Sequence, residues 1–181
     1  MNYSTKNIEL LLLERNYTDV IRKKQSECIQ YNAKNIHQLD VVCMMFEVNH
    51  SIKKSDLPHI LNKSSKHIHF ILVVNSISFQ SKIILKNYFD RFEILHRDIV
   101  SIPILTHEYV PNYTLVKGTE MIELTKKFGD VSKFGKIVAD IDPVAIYLDF
   151  RPGGVVKVEQ KCPISGLNTY YRYIIHSNEL M

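Results

Sequence analysis

Glycine is missing from the first 117 residues: Gly118, Gly129, Gly135, Gly153, Gly154 and Gly166 are the only six. A glycine-rich phosphate loop is thereby excluded from the N-terminal half, because backbone N–H groups wrap a phosphate only where side chains do not crowd it. Gly153-Gly154 leads into a run of valines, not a helix, so no helix-terminus phosphate site is expected there. Cysteine is scarce. Cys28, Cys43 and Cys162 stand too far apart for a C-x-x-C metal knuckle, and their odd number argues against a closed disulfide framework, so a reducing compartment is expected. Tryptophan is absent, while Tyr, Ile, Lys and Asn are abundant, the bias of an A/T-rich genome. Long apolar runs are lacking too: Met1–Asn7 is polar and Ile8–Leu13 is short and broken by Glu9, so neither a signal nor a membrane segment is expected. Internal repeats, low-complexity tracts and long linkers do not occur.

What remains is a globular chain of 181 residues, 45% hydrophobic, enough for one ordinary domain or two small ones. Its net charge of +4 is unevenly placed, since residues 1–100 hold 14 Lys and Arg against 10 Asp and Glu, and the rest holds 9 of each. A basic N-terminal half suits a neighbour made of phosphate, because neutralising phosphates releases counterions. A solvated surface is the alternative reading.

In chain order, Ser4 caps an expected first helix carrying Ile8, Leu11 and Leu12, and Tyr17–Gln30 is expected as a second. Leu39–Val48 reads as a buried strand, Asp56–Leu61 as a helical turn, and His67–Asn75 as a central parallel strand, continuously apolar from Phe70 to Val74. Ser78–Phe89 has helical spacing at Ile83, Ile84 and Tyr88, and Phe92–Leu95 reads as another strand. Strand, helix and strand in succession predict an α/β layer. The extended stretch Ile99–Leu105, with Pro103, marks a boundary between domains 1–100 and 101–181. Beyond it Thr119–Phe128 is a helix capped by Thr119 and stopped by Gly129, with Met121, Leu124 and Phe128 inward.

The clearest stretch is Asp142–Val158. Asp142 before Pro143 is a helix start, the carboxylate capping free N–H groups and proline taking the first position. Val144, Tyr147 and Leu148 share one face; Arg151-Pro152-Gly153-Gly154 then turns the chain into a strand on which Val156 and Val158 point one way and Lys157 and Glu159 the other. Lys161–Gly166 permits a hairpin, and Asn168–Ile175 is the returning strand.

Asp142-Pro143-Val144-Ala145-x-Tyr147, Gly153-x-Val155-Val156-Lys157 and Tyr171-Arg172 together resemble the C-terminal assembly domain of the fifth subunit of eukaryotic nuclear RNA polymerases, a family with an archaeal counterpart. Thr106-His107-Glu108-Tyr109-Val110-Pro111 is similar to the segment that opens that domain. Ile141 and Asp149 stand where the family has glycine, and Pro152 where it has a basic residue. The resemblance implies an α/β N-terminal jaw domain on a restriction-endonuclease-like layer and a small α+β C-terminal assembly domain. It implies that Tyr147, Arg151, Val156, Lys157, Tyr171 and Arg172 meet the largest subunit, with the small sixth subunit as a further partner, and that His107, Pro111, Asp142, Pro143 and Gly153 are structural. Ile71-Leu72-Val73-Val74 followed by Ser78, Phe79, Gln80, Ser81 and Lys82 looks like the jaw strand and the loop that approaches downstream DNA, which makes Ser78, Gln80, Ser81 and Lys82 the candidate phosphate contacts.

Catalysis is not expected. The nuclease relatives of such a layer need an Asp and then Glu-x-Lys to hold a metal and activate water. Here Asp40 precedes Glu47-Val48-Asn49, with Asn where Lys is required, and the odd spacing puts the two carboxylates on opposite sides of one strand. His67-x-His69 places two imidazoles on one strand face, but no Cys or carboxylate nearby has ligand spacing. No metal, cofactor or membrane is expected. The resulting expectation is a non-catalytic subunit of a DNA-directed RNA polymerase. It would belong to a large DNA virus in preference to a nucleus, and so would act in the virion or host cell. A stand-alone nucleic-acid-binding protein or degenerate nuclease is the alternative.

Overall fold

The computed structural model describes residues 3–25, 28–35, 37, 39–47, 51–62 and 68–179. The chain divides into two compact units, Met1–Ile102 and Pro103–Met181.

The first unit begins with α1 (Tyr3–Glu14), one residue ahead of the expected cap at Ser4. The expected second helix is a hairpin of β1 (Thr18–Lys24) and β2 (Cys28–Lys34). Asn16 and Asp19 take positive φ (60° and 54°), which breaks the helical path, and Ile21 is 58% exposed, so the apolar residues never form a buried stripe. The chain continues through β3 (Asp40–Phe46), β4 (Ser51–Ile52), α2 (Leu57–Leu61), β5 (His69–Val74), β6 (Ser76–Ile77), α3 (Phe79–Tyr88), β7 (Arg91–His96) and α4 (Arg97–Ser101). The sheet order is β1-β2-β3-β5-β7, antiparallel from β1 to β3 and parallel from β3 to β7, while β4 and β6 form a separate parallel pair. The stretch expected to be extended from Ile99 is instead helical at α4, because the His96 side chain accepts the Asp98 N–H and Val100 is completely buried.

Every residue of β5 is buried, as a central parallel strand requires. On one face Val42, Met44, Phe46, Phe70, Leu72 and Val74 meet Leu57 and Ile60 of α2, Leu85 of α3 and Phe89 just beyond it, with the Phe70 and Phe89 rings stacked at 4.4 Å. Each such side chain contributes about 1.5–3 kcal/mol by leaving water. The opposite face carries Tyr31, Cys43 and Ile71 in register, and Tyr31 donates its hydroxyl to the Thr5 carbonyl of α1. Charge is buried on that face. Arg15, just beyond α1, grips Glu93 of β7 through two hydrogen bonds of 2.8 Å. His69 Nε2 lies 3.3 Å from the same carboxylate, and its Nδ1 lies 3.0 Å from the Tyr17 hydroxyl.

The second unit contains β8 (Asn112–Leu115), α5 (Thr119–Phe128), β9 (Gly135–Val138), α6 (Pro143–Tyr147), β10 (Val155–Cys162) and β11 (Gly166–Ile175). Its sheet runs β8-β10-β11-β9, antiparallel except for the parallel edge pair β11 and β9. Gly118, not Thr119, is the N-cap of α5; its φ of +58° suits a residue without a side chain. The sheet is covered on both sides. One core gathers Ile137, Ala145, Phe150, Val156, Val158 and Ile174, and the other sets Leu124 of α5 on Val116 and Val155. Phe128, expected inward, is 50% exposed.

Candidate functional site

The segment after β9 is held by its own sequence. Asp142 Oδ1 accepts the N–H groups of Val144 (2.9 Å) and Ala145 (3.0 Å), and Pro143 opens α6 where a free N–H is not needed. After Leu148 the backbone swings through Asp149 at φ +56°, a left-handed conformation that Asp tolerates better than most residues and that accounts for glycine at this place in the resembled family. Gly153 follows at φ +89° and donates its N–H to the Ile174 carbonyl at 2.9 Å, which starts β10 alongside β11.

Two expected interface residues belong to the core instead. Tyr147 and Val156 are both 0% exposed, so they present no surface to a partner: α6 turns Tyr147 inward, and Val156 alternates to the α6 side of the sheet. The other four fall in three places. Arg151 is exposed in the turn and paired with Asp149 at 2.8 Å. Lys157 and Tyr171 are register partners, and Tyr171 packs with the α5-side core. Arg172 points the other way, its guanidinium 5.5 Å from the Tyr170 ring and donating to the Lys136 carbonyl at 3.3 Å. Lys157 also pairs with Glu159 at 2.7 Å, and that hydrogen bond raises the pKa of the ammonium.

The α5 side adds residues that no sequence motif marks. Phe134 stacks on Tyr171 (6.0 Å, 27°), and Phe128 meets Phe134 edge-on at 5.8 Å. Beside them a groove of about 460 Å³ is lined by Leu124, Phe128, Thr169 and Tyr171 between the charges of Glu120, Glu123 and Lys127. His107 is bonded within its own turn: its Nδ1 accepts the Tyr109 N–H at 3.4 Å and its carbonyl accepts the Val110 N–H at 3.0 Å before Pro111.

Of the four candidate phosphate contacts, Ser81 is 0% exposed and cannot reach a ligand. Its N–H donates to Ser78 Oγ at 3.2 Å, and the two hydroxyls are 2.7 Å apart, so Ser78 spends its side chain as the α3 cap. Gln80 and Lys82 are exposed, as is Phe79 at 75%. The Ser78 N–H donates to the Ile52 carbonyl at 3.0 Å, which brings the exposed Lys53 and Lys54 alongside the start of α3. That neighbourhood depends on the β4–β6 pairing, which two-residue strands do not announce in sequence. Asp40 opens β3 and Glu47 follows its last residue, both exposed, which explains physically why they form no pair. His67 and Asn49 lie outside the described residues; His69 is turned toward Tyr17 and Glu93.

Residues 102–174 match the family described as RNA polymerase Rpb5, C-terminal domain. The DNA-directed RNA polymerase subunit Rpo5 of Nitrosopumilus maritimus is 32% identical over 69 residues, 38% of this chain and 83% of that relative. This chain belongs to the Rpb5/Rpo5 family. The Rpo5 subunits of Thermococcus onnurineus (34% identical over 73 residues, 40% of this chain and 88% of that one) and Sulfolobus acidocaldarius (32% over 74, 41% and 88%) agree. The resemblance read from Asp142-Pro143, Gly153 and Tyr171-Arg172 is therefore borne out. A solved structure of EndoMS in apo form shares a TM-score of 0.37 at 15% identity over 51% of this chain and 46% of that one, a likeness too low to argue from.

Within the family-matching region, Cys162 ends β10 with a thiol whose pKa is drawn down to about 7 by hydrogen bonds from the Ser165 side chain and N–H and from the Ile164 N–H. Cys43 is buried, and burial pushes its thiol up to about 12. Iodoacetamide is expected to label Cys162 in the native chain with a rate midpoint near pH 7, and Cys43 only after unfolding. Ser165→Ala should move the midpoint toward the ordinary value; mass spectrometry of the labelled peptides reads both results.

Proposed function

We propose that the protein is a non-catalytic subunit of a multisubunit DNA-directed RNA polymerase. Membership of the Rpb5/Rpo5 family, carried by the match over residues 102–174, supports this reading. In it, residues 103–181 dock on the largest subunit and neighbour the small sixth subunit. The N-terminal unit is a jaw on a restriction-endonuclease-like layer that lies beside downstream DNA. The docking surface is the α5 side, where exposed Phe128 and half-buried Tyr171 and Lys157 combine aromatic area with polar rims, the composition of a stable interface core. Gln80 and Lys82 at the start of α3, with Lys53 and Lys54, supply the phosphate contacts. Place of work follows the polymerase: the nucleus or cytoplasm of a cell, or the virion and host of a large DNA virus.

Copurification of tagged chain from its native source tests the assignment. The largest polymerase chain is expected with the wild type and at least tenfold less of it with Tyr171→Ala, whose own fold is checked by circular dichroism. Lys82→Glu should leave assembly intact, weaken DNA retention, and flatten its log–log salt dependence by about one unit. Absence of polymerase chains from the wild-type eluate sinks the assignment, and equal effects of the two substitutions sink the division of labour.

A further inference from the structure

β1, β3, β5 and β7 all run in one direction, because β1 is antiparallel to β2, β2 is antiparallel to β3, and the rest are parallel. Their carboxyl ends therefore share one edge, the edge outside which open sheets with parallel strands hold their ligands. A cavity of about 260 Å³ lies there, with Arg22, Lys24 and Gln25 from the end of β1, Met45, Phe46 and Glu47 from the end of β3, and Arg97 from the start of α4. Arg97 follows β7, two places from β3 in the sheet, yet its Nη1 donates to the Phe46 carbonyl at 2.5 Å. One of five guanidinium N–H donors is thereby used to fix the side chain over the cavity.

We propose that this cavity binds the phosphate of a single nucleotide unit, free or at the end of a nucleic-acid chain. Among the described residues its rim carries three cations against one carboxylate. Two of the cations are arginines, whose planar forks suit phosphate oxygens. Glu47 supplies an acceptor for sugar hydroxyls, the role an acidic residue past a strand end takes in dinucleotide sites. Ile29 and Met45, register partners on one face of the sheet, form an apolar floor for a base, while Phe46 turns its ring into the opposite core and offers only its backbone. Cations on an edge strand such as β1 also guard against strand pairing, but that duty does not explain Arg97, brought to the same cavity by another element. The site is separate from the start of α3 and does not depend on the polymerase assignment.

Two-dimensional NMR of the full chain, titrated with adenosine 5′-monophosphate, its 2′-deoxy form, adenosine, inorganic phosphate and a 5′-phosphorylated oligoribonucleotide, tests it. Adenosine 5′-monophosphate is expected to shift the amides of Gln25, Ile29, Met45 and Glu47. Arg22→Gln combined with Lys24→Gln, both exposed in the wild type, should weaken binding at least tenfold with an unchanged melting curve. Glu47→Gln should erase a preference for ribose over deoxyribose. Tighter binding of the oligonucleotide identifies a chain end as the source, and equal binding identifies the free nucleotide. The proposal is overturned if none of these shifts appears at millimolar ligand, if the double substitution leaves affinity unchanged, or if inorganic phosphate binds as well as the nucleotide.

Discussion

Arg15→Met is expected to cost the N-terminal unit about 3–5 kcal/mol, because it takes two hydrogen bonds and a positive charge from the buried Glu93 carboxylate and leaves it His69. The side chains of Arg15 and Glu93 are 2% and 15% exposed, and two hydrogen bonds of 2.8 Å join them. Burial pushes the Glu93 carboxyl upward, but the hydrogen bond from His69 and the charge and hydrogen bonds of Arg15 outweigh it and hold the pKa down to about 2, against 4.5 ordinarily. A carboxyl with a depressed folded pKa stabilises the fold above its unfolded value, and that contribution is lost as pH falls through the folded one. The wild type should therefore lose on the order of 3 kcal/mol between about pH 4.5 and pH 2 from this group. Arg15→Met with Glu93→Leu removes both charges and should recover most of the single variant's loss, since an apolar pair of similar volume is often as stable as a buried ion pair. Urea unfolding followed by circular dichroism measures all three. A loss below 1 kcal/mol in Arg15→Met would mean that the carboxylate finds water or another donor.

This cluster shows where the amino-acid order is readable and where it is not. Phe70–Val74 announces a strand buried on both faces because an uninterrupted apolar run has few other uses, and β5 is that strand. Asp142-Pro143 announces α6 because the cap and the first helical position are chemically local, and both hydrogen bonds to Asp142 are present. Arg15 and Glu93 stand 78 residues apart and meet only through the sheet order, which no local pattern encodes. β1 fails for a related reason: an edge strand exposed at nearly every residue lacks the alternation that marks a strand, and Val20-Ile21 with Cys28-Ile29 fits a helical period by chance. The family resemblance supplied which residues mark the C-terminal unit but not which way each side chain turns. Burial separates Tyr147 and Val156 from Lys157 and Tyr171 although all four sit in one motif. The aromatic group of Phe128, Phe134 and Tyr171 joins α5 to β11 across more than forty residues, so it had no signature to find.

Tyr147→Ala is expected to destabilise the C-terminal unit by about 3–5 kcal/mol, the range for removing a large aromatic ring from a closed core. The ring is completely buried at the end of α6, the helix whose Ala145 belongs to the sheet core with Phe150. A five-residue helix cannot stand by itself, so the packing of Tyr147 decides whether Asp142–Leu148 folds at all. The turn that follows, with Gly153 bonded to Ile174, would lose its support in turn. Arg151→Ala and Lys157→Ala, which remove exposed or half-exposed charges from ion pairs, should each change stability by less than about 0.5 kcal/mol. Thermal unfolding separates these outcomes. If Tyr147→Ala melts with the wild type and fails only in assembly, the ring acts at an interface after all, and its burial in the free chain describes a different state from the one that docks. If it melts early while Lys157→Ala does not, failure of Tyr147→Ala to assemble follows from the loss of the fold that presents Tyr171 and Phe128, and carries no information about direct contact.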